Sequence, residues 1–173
     1  MKAVPKDNPL LSTWGTNNRV TEFFFENLPD DLWSETIPGA PRRTIRMIAG
    51  HIHNSRCSWI KMVGKQYGIK TPLSVDRRRV SRSALLRALK RSNRGIIELL
   101  TAGIDHGGVL NTNVTWSSIP PDAAHFMTYM VAHEAHHRGQ IILAARALGH
   151  RLPQDITTGV WQWKNRHREV AGE

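Results

Sequence analysis

Four stretches of the chain repeat apolar residues at intervals of three and four, the spacing that lines up side chains on one face of an α-helix. After Pro9, the first stripe is Leu11, Trp14, Asn18, Thr21, Phe25 and Leu28, and Pro29-Asp30-Asp31 ends it. The second follows Pro41 and carries Ile45, Ile48, Ile52, Ser55, Trp59 and Met62, with Gly64 and Gly68 at its end. The third opens at Ser81 or Ser83, either of which can cap a helix N-terminus. Its stripe is Leu86, Leu89, Asn93, Ile96 and Leu100, closed by Gly103 and the pair Gly107-Gly108. The fourth runs from Pro121-Asp122 to Leu148, with Gly149 suited to the first residue past the helix and Pro153 just beyond.

No strand-like alternation persists, so the pattern predicts an all-α fold: a four-helix bundle with long connections and a short C-terminal helical tail holding Trp161 and Trp163. The connections exceed the roughly 2–8 residues usual between bundle helices. Connections of that length permit parallel neighbours and can cover one end of a bundle, shaping a pocket there.

The length of 173 residues fits one domain spanning 1–173, and 40% hydrophobic content fits a packed core. No apolar run approaches the roughly 18 residues of a spanning helix. The start, Met1-Lys2-Ala3-Val4-Pro5, lacks the apolar core of a signal peptide. Cys57 is the sole cysteine, which excludes an internal disulfide. These features predict a soluble, cytoplasmic protein. The net charge of +10 raises nucleic acid as a partner. The arginines are dispersed, however, with no zinc-finger spacing, no Gly-rich RNA-binding motif and no interleaved aromatics. A solvated basic face explains them, and attraction to an anionic substrate or surface is the alternative.

The candidate chemistry lies in Val131-Ala132-His133-Glu134-Ala135-His136-His137-Arg138-Gly139-Gln140. His133 and His137 are four apart, and two imidazoles so placed on a helix can reach one metal ion. They also fall in the apolar series Phe126, Met130, His133, His137, Ile141, Ala144, Leu148, which puts both rings at core positions. A buried polar ring without a partner costs about 1–3 kcal/mol. An ion would compensate both rings at once; carboxylates or water are the other way to satisfy them. The letters also spell the zinc-protease pattern His-Glu-x-x-His. Gln140 and Leu143, however, occupy the positions of the Gly and His in its longer form, and the only later glutamates are Glu169 and Glu173. The protease reading therefore lacks its third ligand.

A third ligand is available upstream, in Gly50-His51-Ile52-His53. His51 stands close to the stripe of the second helix. His53 falls with Ala49, Arg56 and Cys57, and a core stripe seldom includes an unpaired arginine, so His51 is preferred to His53. A His53–Cys57 pair, four residues apart, is a further arrangement. Glu134 adjoins a ligand and has two roles open to it: orienting that ligand or acting as a general base, and pairing with Arg138 four residues on. Asn18 and Asn93 are polar residues in apolar stripes, suited to lining a pocket or to bonding one another or water.

The stretch His133-Glu134-Ala135-His136-His137-Arg138-Gly139-Gln140 resembles the His-x-x-x-His-Arg-Gly-Gln signature of the DinB-like superfamily of metal-binding helical bundles. The stretch Ile45 to His53, with Trp59 eight residues after His51, is similar to that family's second helix. The resemblance implies His51, His133 and His137 as ligands of one divalent ion, zinc or nickel foremost, with iron or manganese as further options. It implies a homodimer and a small-molecule substrate. It also implies a metal-dependent enzyme, a thiol (S-)transferase or a hydrolase, with a low-molecular-weight thiol as a co-substrate of the former. A non-catalytic metal-binding bundle of the stress response is the alternative that the same resemblance allows.

Overall fold

The computed structural model describes residues 8–110 and 119–172. Four long helices, α1 (Pro9–Asn27), α2 (Ile45–Val63), α3 (Arg82–Asp105) and α4 (Ala123–Ala147), form the bundle. Their starts are written in side-chain caps: Asn8, Ser81 and Asp122 each accept a hydrogen bond from a first-turn amide, at Leu10, Ala84 and His125 respectively. α2 packs against α3 and α4, while α1 packs against α3 and α4 and receives the C-terminal helices α5 (Gln154–Gly159) and α6 (Trp163–Ala171). The fold is all-α, as the periodicity predicts, with α5 and α6 as its tail. Among the described residues, no helix is long and apolar enough to cross a membrane.

The connection between α1 and α2 holds a feature the sequence pattern does not announce. Strands β1 (Thr36–Ile37) and β2 (Ala40–Thr44) form an antiparallel hairpin. Pro38-Gly39 makes its turn, and Gly39 takes φ +75°, the left-handed value a type II turn requires after proline. β2 runs directly into α2, so α2 begins at Ile45 and not immediately after Pro41.

The core has two apolar clusters with a polar layer between them. One gathers Phe24, Phe25, Leu32, Ile45, Ile52, Leu89 and Ile141. The other gathers Trp14, Trp59, Ile60, Ile96, Phe126 and Met130. Along α1, α2 and α4 the residues between these groups are buried and polar: Asn17, Asn18 and Thr21; Arg56; Glu134 and Arg138. The seam of α4 therefore passes through Glu134 and Arg138, one position beyond the histidines on which the apolar series had placed it. Arg56, unexpected in a core stripe, is fully buried because Glu134 neutralises it.

Candidate metal centre

The polar layer holds α4 in place. The Glu134 carboxylate accepts Arg56 Nε at 2.7 Å on Oε1, and on Oε2 accepts Arg56 Nη2 at 2.9 Å, Asn17 Nδ2 at 3.0 Å and Thr21 Oγ1 at 2.7 Å. Arg138 stands 3.8 Å from the same carboxylate and donates to Thr21 at 2.5 Å. Asn18 accepts from Arg56 Nη1 at 2.8 Å, and Asn93 accepts from Trp14 Nε1 at 2.8 Å, so the two asparagines serve separate partners. Burial alone would raise the Glu134 pKa; the charge and hydrogen bonds of Arg56, helped by Arg138 and Thr21, hold it below the usual carboxylate range. The i,i+4 pair with Arg138 exists, but the bidentate contact with Arg56 is the closer one.

With Glu134 turned into the bundle, its neighbour His133 is carried about 100° around α4, onto a half-buried flank shared with His137. His51 of α2 meets them there, its ring centroid 5.2 Å from that of His133 and 4.7 Å from that of His137. One ligand atom from each of the three rings lies within 4.8 Å of the others. Among the described residues, no fourth imidazole, thiol or carboxylate belongs to the group. His53 lies elsewhere: it is fully buried, with Nδ1 3.0 Å from Ser92 Oγ and Nε2 3.0 Å from the Leu73 carbonyl. Cys57 sits 3.3 Å from His53 Nε2, but burial pushes its thiol up to about 11, far from a ready thiolate.

The hydrogen bonds among the described residues do not satisfy every ring nitrogen of the trio. Gln140 Oε1 accepts from His137 Nδ1 at 2.8 Å, which leaves His137 Nε2 as a bare lone pair. That nitrogen faces His133 Nε2 at 3.1 Å. Two nitrogens on one tetrahedral zinc stand about 3.3 Å apart, given Zn–N bonds of about 2.0–2.1 Å. His133 Nδ1 is buried with no hydrogen-bond partner among the described residues. Burial lowers all three pKa values, and the neighbouring rings add to this at His133, which falls to about 4. At neutral pH the rings are therefore neutral and offer lone pairs, the state a divalent ion needs. The residues fit a metal.

The family model of the DinB family matches residues 4–168, nearly the whole chain. The chain belongs to the DinB family. Neither curated proteins nor solved structures give a match. In this DinB-family chain, the sequence singles out the three histidines that converge, and misses the buried Arg56 and Asn17. Arg56 was legible only through Glu134, its partner 78 positions away. Gln140 shows what the end of the signature does here: its amide accepts from His137 and donates to His136 Nε2 at 2.9 Å, fixing both rings.

Proposed function

We propose that this DinB-family chain is a divalent-metal-dependent enzyme, a thiol transferase or a hydrolase acting on a small molecule. His51, His133 and His137 would hold the ion, with zinc or nickel suited to an all-imidazole set. A bound ion of this kind lowers the pKa of a water or thiol that reaches it. The observation that carries the reading is the trio itself: three neutral rings with no fourth protein donor among the described residues, two of them lining an open cleft of about 140 Å³. Catalytic zinc sites keep such an open position, whereas structural sites close it.

The chain's own residues have distinct parts in this reading. Gln140 holds His137 with its Nδ1 proton turned away from the trio, leaving Nε2 for the ion. Glu134 fixes α4 through Arg56, and with both oxygens engaged by donors it acts as a positioning residue and not as a general base. Cys57, buried and with its thiol pushed up to about 11, is not the nucleophile; an incoming thiol or water is.

Elemental analysis after loading with zinc or nickel tests the site. Single His51→Ala, His133→Ala and His137→Ala variants are expected to lose at least about tenfold in metal affinity, and His53→Ala to keep the ion. Metal retained at parental affinity by a His133 or His137 variant would sink the site. A fully loaded protein with no turnover on thiol-plus-electrophile or ester substrates would favour the non-catalytic bundle.

A further inference from the structure

Two arginines border the open side of the trio. Arg43 from β2 and Arg77 from the connection before α3 line the same cleft as His51, His137 and Gln140. Some arginines of the chain have carboxylate partners, such as Arg19 with Glu26 and Glu169, and Arg82 with Asp30. Among the described residues, Arg43 and Arg77 have none. The Arg77 stem is also closely seated. A Cβ added to Gly50, the residue before His51, would lie 3.1 Å from Arg77 Cγ and 3.4 Å from its Cα. Glycine at this point lets the connection press against α2 beside a ring of the trio.

A second cavity, of about 480 Å³, adjoins the first and shares Arg43, Ile48 and Gln140 with it. Its remaining walls are apolar: Ile37, Pro38 and Ala40 of the hairpin face Leu143, Ala144 and Ala147 of α4. Leu143 is 68% exposed there, a large apolar side chain left uncovered beside the cleft. The volume falls in the range of small-molecule sites, roughly 300–1,000 Å³.

We propose that the site takes a small organic anion, its carboxylate beside Arg43 and Arg77 and its apolar tail in the groove between the hairpin and α4. The inference rests on the metal reading for the chemistry done at the trio, while the contacts that select the ligand come from residues outside it. Paired charges alone would suit any anion; the adjoining apolar groove selects one that carries a hydrocarbon body.

Isothermal titration of the full chain, zinc-loaded and chelator-stripped, with hexanoate and its neutral analogue hexanamide tests this. Hexanoate is expected to bind about tenfold or more tighter than hexanamide. Arg43→Ala and Arg77→Ala should each remove about tenfold of that affinity with zinc content unchanged, and Arg87→Ala, outside both cavities, should not. From butanoate to octanoate, affinity should rise by up to about three- to fourfold per methylene, and Leu143→Asp should flatten that rise. Equal binding of acid and amide, or arginine variants that bind hexanoate like the parent, would overturn the anion site; a flat chain-length series in the parent would overturn the groove. Arginine-dependent binding by a protein that takes up no zinc when it is supplied would uphold the anion site and sink the metal reading. Zinc held by the trio with arginine-independent binding would do the reverse.

Discussion

Glu134→Gln removes one negative charge from the centre of the bundle while keeping nearly the same shape. In the parent, Arg56 and Glu134 are both fully buried and share two charge-assisted hydrogen bonds of 2.7 and 2.9 Å. Arg138 leans on the same carboxylate at 3.8 Å. After the change, a buried guanidinium keeps its neutral partner Asn18 but has no counter-charge, and a second one lies close by. Breaking a buried pair from one side costs about 3–5 kcal/mol, a large share of the roughly 5–15 kcal/mol that stabilises a domain. Urea unfolding at pH 7, followed by far-ultraviolet circular dichroism, reads the loss as a lower midpoint at unchanged slope. A double-mutant cycle with Arg56→Met should return a coupling of at least about 1 kcal/mol, because the double variant leaves neither charge stranded. A Glu134→Gln protein within about 1 kcal/mol of the parent would refute the account, for it would mean that the layer is not held by charge.

The same bundle implies three further outcomes. Below about 6.5 the unfolded histidines take up protons, while the folded His51, His133 and His137 stay neutral to lower pH, His133 to about 4. The unfolded state thus binds more protons across this window, and the thermal midpoint of metal-free protein should fall as pH drops from about 6.5 towards about 4; a flat profile contradicts the lowered values. Cys57 is 2% exposed and its thiol is pushed up to about 11, so Ellman's reagent at pH 8 should react more than about tenfold slower with native than with unfolded protein; equal rates would show that the site opens freely. Gly159→Ala would drive a methyl group into the Phe23 ring and should cost about 1–3 kcal/mol in thermal unfolding, whereas parental stability would mean that α5 can lift from α1.

The helices were legible because their signals are local. Ser81 and Asp122 cap α3 and α4 where the sequence places helix starts, and Gly149, φ +84°, follows the end of α4. The hairpin was not legible, since its strands are short and mostly exposed and offer no alternation to read. The α4 seam was misplaced for a different reason. Periodicity of apolar residues treats Glu134 and Arg138 as surface, and only the distant Arg56 makes burying them affordable. The same blind spot touched the choice of His51. The sequence pattern reads Arg56 as a sign that its face of α2 points outward, yet that face is buried as well. His51 reaches the trio because it leaves the core at a half-exposed flank, and His53 stays inside with Ser92.

The hairpin carries Arg43, Ile37 and Ala40 on an irregular two-stranded ladder outside the bundle. Its turn, Pro38-Gly39, meets nothing that a longer or shorter loop would displace from the core: both residues are exposed and a Cβ on Gly39 would touch no other atom within 4 Å. The entrance to the site can thus change over generations on its own schedule. Descendants of one ancestral bundle could inherit identical rings and an identical charged layer, yet diverge in the molecules they admit through nine residues, 36–44, of a surface ribbon.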